Sequence, residues 1–390
     1  MRIFFACLAA WLLLFANLVS ASVLGEISGR FRSFYFNRTY IPLQESMAVG
    51  GWLQYESPTW QGIKLTLAGY TSQGLFFTDP AHGGGGVLGP SQESFSVLGI
   101  ANLNAKLANS QITLFRQSLN TPFINQHDVR MLPKLVEAYT FSSQLTPSVY
   151  FLASQVTKIK GWANNTFIPM SDFAGYRGTD KGVTLAGMIL NPGSQLKLQG
   201  WNYYCYDFMN VVYLHLDSEL YRNTKLNVHG QVQSLLQNSI GQAMGGNFST
   251  GMFGLKGICQ LNSGINLVLA YTNANKNHDI ENPWGAYPGF TSIIGEDCDL
   301  AGEHAWTVGI ENNLCQVGSG NLATKLYHTE AYILGNGSIA SPHQYETDLL
   351  FEYRLATNYY WQLRGILVNH ALDMSGTNYS SCRFNVNYDF

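Results

Sequence analysis

Along most of this chain apolar and polar residues take turns at every second position, the period of a β-strand with one greasy and one wet face. The clearest segment is Ile63 to Tyr70, where Ile63, Leu65 and Leu67 share one face and Lys64, Thr66 and Tyr70 the other. Thr224 to Gln233 repeats the pattern, with Leu226, Val228 and Val232 set against Lys225, Asn227, His229, Gln231 and Gln233. Leu363, Gly365 and Leu367 against Gln362 and Arg364 form a third case, and Cys382 to Phe390 alternates to the last residue. A strand of this kind at the chain's end suits a sheet that closes on its first strand, because closure leaves no open edge. Segments of this type recur roughly every 20 residues, and about eighteen fit between Leu24 and Phe390, an even number as in single-chain outer-membrane barrels. The pattern predicts an all-β protein, a transmembrane antiparallel barrel of about 18 strands.

The connections alternate in length. Turn chemistry marks Thr146-Pro147, Asn191-Pro192-Gly193, Asn262-Ser263-Gly264 and Gly318-Ser319-Gly320. Between them lie longer Gly, Asn and Asp-rich stretches, roughly 75 to 96, 118 to 133, 159 to 180, 237 to 248, 275 to 302 and 335 to 345. With the N-terminus at the periplasmic rim, each long loop falls outside the cell.

Composition changes the picture in two ways. Arg2 precedes an apolar run from Ile3 to Leu14, and Val19-Ser20-Ala21 supplies the small residues of a signal-peptidase site, so residues 1–21 read as a signal peptide and 22–390 as the barrel domain. After that run no segment is long enough to cross a bilayer as a helix, which leaves strands as the means of insertion. Only 12% of residues are charged, against about 25% in ordinary soluble domains, and Tyr 22, Phe 22 and Trp 8 supply aromatic girdles, among them Tyr35, Tyr55, Trp361, Tyr388 and Phe390.

Net charge is −3, with Lys+Arg 22 and Asp+Glu 25, so nothing points to nucleic acid. Gly83 to Gly86 lacks the Gly-Lys-Ser/Thr ending of a phosphate loop, and no Gly-x-Ser-x-Gly elbow marks a hydrolase. The chain therefore reads as no enzyme, with no cofactor and no metal. Of six cysteines, Cys7 leaves with the signal, which strands an odd set of Cys205, Cys259, Cys298, Cys315 and Cys382; Cys298 and Cys315 lie about 17 residues apart along a strand, and a whole strand separates those of Cys259 and Cys315, so no disulfide is expected. Asp279, Glu281, Glu296, Asp297, Asp299 and Glu303 gather in one long loop, expected to be solvated and external, with a divalent ion bridging lipopolysaccharide as the alternative.

Lys and Arg facing lipid near the bilayer midplane cost about 2 to 4 kcal/mol, so Arg30, Arg32, Lys64, Lys106, Lys197, Lys225, Arg364 and Arg383 are expected to face the lumen. Spread around the wall, they would guide anions; singly, each is a solvated charge paired with a neighbouring acid. Arg116 shares the parity of Ile112 and Leu114, so either a bulge turns it inward or it sits above the lipid band. Asn125 to Arg130 mixes donors, acceptors and both signs of charge: His127, Asp128 and Arg130 either polarise a passing zwitterion or latch the loop to the wall.

Several strings carry a more specific message. Gly29-Arg30-Phe31-Arg32-Ser33-Phe34-Tyr35 opens the first strand. Phe115-Arg116-Gln117-Ser118-Leu119-Asn120-Thr121-Pro122-Phe123 leads into Asp128-Val129-Arg130-Met131-Leu132-Pro133, followed by Gln199-Gly200-Trp201-Asn202-Tyr203-Tyr204 and Trp284-Gly285-Ala286-Tyr287-Pro288-Gly289-Phe290. In this order they resemble the OprD family of substrate-specific outer-membrane porins, over essentially all of the mature chain. The resemblance implies eighteen strands, a monomer or weak homotrimer, and a third external loop folded inward to narrow the pore. It also implies passive, selective uptake of small carboxylate-bearing or zwitterionic solutes along a basic wall. Ser118 to Pro133 would be the constriction loop, with Asp128 and Arg130 in it and Arg116 at the strand end beneath. Phe390 would be the terminal aromatic read by the barrel assembly machinery. The implied partners are those solutes, that machinery, and outer-membrane lipid with lipopolysaccharide. The alternative is a surface adhesin or structural barrel acting through its external loops.

Overall fold

The computed structural model describes residues 25–39, 42–177, 181–193, 195–334, 343–370 and 378–390. The predicted signal peptide and most of the loop at 335 to 345 lie outside them. The strands are β1 (Glu26–Arg38), β2 (Gln44–Glu56), β3 (Ile63–Phe76), β4 (Phe95–Leu107), β5 (Ser110–Gln117), β6 (Leu135–Thr146), β7 (Val149–Lys160), β8 (Ile168–Pro169), β9 (Val183–Gly193), β10 (Leu196–Cys205), β11 (Met209–Arg222), β12 (Leu226–Ser239), β13 (Ser249–Leu261), β14 (Ile265–Ala274), β15 (Glu303–Val317), β16 (Gly320–Ile333), β17 (His343–Ala356), β18 (Tyr359–His370) and β19 (Tyr379–Asp389). All belong to one antiparallel sheet in which each strand bonds its sequence neighbours, and β19 returns to pair with β1 from Arg30↔Asp389 to Arg38↔Ser381. β8 is a two-residue bridge on Lys158 and Ile159 beside the direct β7–β9 pairing, so eighteen of the described strands make the closed wall.

Closure follows from the alternation. The outward set is apolar, aliphatic and aromatic, and open to lipid, as at Leu214, 54% exposed, and Leu269, 61%. Phe390 completes the seam: its N–H donates to the Gly29 carbonyl at 3.0 Å, and Gly29 N–H donates to the Phe390 carbonyl at 2.9 Å. A Cβ on Gly29 would stand 2.5 Å from the Phe390 ring, so this crossing needs glycine. The turn expected at Asn191 to Gly193 is instead the irregular tail of β9, where the register against β10 shifts. All five cysteines after Cys7 are free.

The interior departs from a uniformly wet lumen. The third loop (118–134) folds inward, but so do the fourth (161–182) and the seventh (275–302). Phe123 and Ile124 of the third, Met170 of the fourth, and Ile280, Trp284 and Tyr287 of the seventh form one buried cluster. It packs on inward residues of the wall, among them Val136, Ala138, Trp201, Tyr203, Tyr213, Leu235 and Met252. Trp284 Nε1–H donates to the Met170 carbonyl at 3.0 Å, and Asn125 pairs with the backbone of Ala286. Two expectations are corrected here. The acidic loop is not a solvated external appendage, because its aromatic residues have a core to enter. Inward positions from β6 to β13 are not all wet, because those loops cover their outer halves. No group of three or more His, Cys, Asp or Glu suited to a metal occurs among the described residues.

Candidate permeation site

Outside the large apolar cluster, Asp128 of the third loop reaches the first strand. The Asp128 carboxylate accepts Arg32 Nη1 at 2.7 Å and Nη2 at 3.1 Å, and lies 3.5 Å from Arg30 Nη1. Arg30 in turn donates to Asp389 through Nε at 2.5 Å and Nη2 at 2.8 Å. Arg32 also donates to Asn387 Oδ1 at 2.7 Å and to the Arg130 carbonyl at 2.6 Å. β19 lies beside β1, so the closing register places Asp389 and Asn387 opposite these arginines. Arg30, Arg32 and Asp128, together with Trp52, Gln54, Tyr70, Ser118, Gln126 and Met131, line a cleft of about 310 Å³.

Arg130 lies behind this cleft. Only 7% exposed, it donates from Nε to the Gly85 carbonyl of the second loop at 2.7 Å and is sandwiched between the rings of Phe36 and Trp162. Burial and the nearby Arg383, Arg38 and Arg364 hold its pKa well below the usual guanidinium range. His127 is edge-on to Trp162, whose Nε1–H donates to the His127 carbonyl at 2.7 Å; burial, with Lys134 and Arg130 nearby, pushes its imidazole down to about 3. It is therefore neutral at physiological pH.

Arg116 is not brought to this group. Its Nε donates to Glu137 at 3.0 Å, its Nη1 to the Leu98 carbonyl at 3.0 Å, and its plane lies against Phe167 of the fourth loop, 4.5 Å from the ring centre. Lys158 completes the row at 3.6 Å from Glu137. Phe115 just before it adopts φ 84°, the irregularity at the strand's end. Arg116 seals the wall where β5 stops and the third loop departs.

The remaining basic residues divide by height. Arg364 and Arg383 are cross-strand partners on β18 and β19, diagonal from Asp348 on β17. Arg383 is 1% exposed against the Phe36 ring, and Arg364 donates to Gln362 at 3.2 Å. Lys64 is ion-paired with Glu56, and with Lys106 it lines a recess lower on the same wall. Lys197 stands opposite Asp217 near the short-turn rim. Lys225 leaves the predicted set: β12 begins at Leu226, and Lys225 occupies the turn before it, its N–H bonded to Asn223 Oδ1 at 2.7 Å.

A family model described as "outer membrane porin, OprD family" matches residues 25–389. The chain belongs to the OprD family of outer-membrane porins. This places it in the bacterial outer membrane, as a channel for small solutes and not an enzyme. Among solved structures it is similar to Pseudomonas aeruginosa OccK9 (OpdG), 16% identical over 93% of this chain and 97% of that one, with a TM-score of 0.84. It is likewise similar to P. aeruginosa OpdK, crystallised with vanillate, at 14% identity, 93% and 98% coverage and a TM-score of 0.82. Acinetobacter baumannii OccAB3 gives 13%, 93%, 98% and 0.83. At such identities these likenesses concern the fold. No curated protein matches the chain.

For this OprD-family member, sequence reasoning missed the groups that hold Arg30, Arg32 and Arg130, namely Asp389, Asn387, Gly85 and Trp162, and the Glu137 that holds Arg116. The closing register gives access to the first two, since pairing the last strand with the first sets Arg30 opposite Asp389. Gly85 and Trp162 come from separate loops and leave no periodic signal.

Proposed function

We propose that this porin gives passive, selective uptake of small carboxylate-bearing or zwitterionic solutes, amino acids and organic acids among them, along a basic wall past a loop constriction. The observation that carries the reading is Asp128 set between Arg30 and Arg32 at the cleft: a carboxylate already occupies the place a passing carboxylate would take, and Arg30 holds it at the looser 3.5 Å contact. Above this point Arg383 and Asp348 are buried without hydrogen-bond partners among the described residues, so they add to the field of the wall rather than meet the solute. The basic lining is Arg30, Arg32, Lys64, Lys106, Lys197, Arg364 and Arg383, with Asp128 at the constriction and His127 and Arg130 as its anchors. Phe390, bonded at the seam, serves as the assembly signal, and lipopolysaccharide surrounds the outer rim of a monomer or weak trimer. The inward packing of residues 275–302 favours this reading over an adhesin, because it removes the largest loop from the surface.

Liposome swelling with a panel of carboxylates, amino acids and neutral sugars tests it. Faster entry of the charged solutes than of sugars of equal size supports the reading; equal rates, ordered by size alone, overturn it.

A further inference from the structure

Beneath the arginine cleft, on the periplasmic side, the wall of β3 to β5 forms a second recess of about 460 Å³ that shares Ile100 and Ser118 with the cleft above. Its separation from the arginines follows from the register. Arg30 pairs with Trp52 and Trp52 with Tyr70, whereas Thr66 of the recess lies four residues further along β3, about 13 Å along the strand, and the two spaces meet at Ile100 and Ser118. A solute leaving the arginines therefore enters the recess next.

The chemistry of the recess is unlike that of the cleft. Asn104 donates to Asn102 Oδ1 at 2.6 Å, and its own Oδ1 accepts Gln111 Nε2 at 2.9 Å and Thr113 Oγ1 at 2.8 Å. Asn102 donates to the Arg116 carbonyl at 2.9 Å, and Gln117 to the Ala138 carbonyl at 2.8 Å. Every carboxamide N–H₂ group is thus tied to another part of the wall, which fixes the amide planes. The carbonyl oxygens of Gln111 and Gln117 accept no hydrogen bond from the described residues. What the recess presents is therefore a set of fixed amide acceptors beside the Lys64–Glu56 pair and the Lys106 ammonium. A bare carboxylate carries no donor for them. An ammonium has donors, but Lys106 stands in the recess without an ion pair among the described residues while Lys64 is neutralised by Glu56, so the local charge opposes a cation. Hydroxyl groups satisfy both conditions, being donors without charge.

We infer that this recess is a second binding station, selective for hydroxyl-bearing solutes such as hydroxy acids, sugar acids and polyols. For the acids it deepens the proposed carboxylate path and rests on it: the arginine cleft takes the carboxylate, and the amide recess then sorts the solutes by their hydroxyls. For neutral polyols it stands by itself.

Two measurements on the full-length protein separate these cases. In planar bilayers, bi-ionic reversal potentials give the permeability ratio of glycerate to propionate, two three-carbon acids of equal charge that differ in hydroxyls. The wild type favours glycerate, and Gln111→Leu, a change at an exposed lumen position, lowers the ratio roughly threefold by removing one acceptor. In liposomes, erythritol entry slows in Gln111→Leu relative to wild type. A glycerate-to-propionate ratio that is the same in both proteins, together with unchanged erythritol entry, overturns the station. A porin that shows no anion preference yet admits erythritol less readily after the substitution sinks the carboxylate path and keeps the recess.

Discussion

Arg32 and Asp128 form a two-point ion pair, Nη1 to Oδ1 at 2.7 Å and Nη2 to Oδ2 at 3.1 Å, that ties the third loop to the first strand inside the barrel. In the proposed path the same contact stands at the constriction and sets its charge. Asp128→Asn keeps the shape and removes the negative charge, which leaves Arg30 and Arg32 facing the cleft with less compensation. The chloride-to-potassium permeability ratio should rise roughly twofold or more, and current noise should increase as the loop loosens, both read in a single-channel bilayer recording.

Arg116 gives the opposite result. Its partners are Glu137, the Leu98 carbonyl and the Phe167 ring, so Arg116→Ala unpins the fourth loop and leaves Glu137 with Lys158 alone. The loss is about 1 to 3 kcal/mol of stability, visible as earlier heat-induced unfolding in a gel-shift assay, with reversal potential unchanged. A shift in ion selectivity would put Arg116 back in the pore.

The plug is a third target. Trp284 is fully buried among the third, fourth and seventh loops and its Nε1–H is bonded to Met170. Trp284→Ala should cost about 3 to 5 kcal/mol of loop packing and open the filled side of the lumen. The conductance of Trp284→Ala should exceed that of the wild type, with weaker discrimination among solutes.

Lys134 makes loop packing depend on pH. It is buried, near the Gly285 carbonyl at 3.5 Å and the rings of Trp162 and Phe173, and burial pushes its ammonium down to about 8 from an ordinary 10.5. The undocked loop therefore binds more protons between these values, so docking strengthens as pH rises from about 8 to 10.5 and is indifferent below. The full effect is about 3 kcal/mol. Hydrogen exchange at residues 118–134 should accelerate less across that window than base catalysis alone dictates, and Lys134→Met should restore the full chemical trend.

Most of the barrel was legible because period-2 alternation is enforced from two sides, by lipid outside and by water or polar partners inside. Ile63 to Tyr70 and Cys382 to Phe390 came out as the strands they are. What stayed hidden depends on loops that fold inward. Trp201 and Tyr203 face the lumen as the alternation says, yet they lie in an apolar core, because Phe123 and Trp284 arrive from loops far away in sequence. The acidic residues of 275–302 suggested solvent and masked Ile280, Trp284 and Tyr287 among them. In the constriction, the residue types in Asn125 to Arg130 marked the right stretch. Which charge faces the path was beyond the sequence, since it turns on Gly85 and Trp162 drawing Arg130 away while Asp128 remains at the cleft.

The central claim is that the basic wall guides anions, and a zero-current reversal potential across a tenfold potassium chloride gradient tests it most directly, in wild type and in the Arg30→Gln, Arg364→Gln double variant. Anion selectivity in the wild type that falls toward neutrality in the variant is the predicted result. A cation-selective wild type, or an anion preference that the variant leaves unaltered, would contradict it.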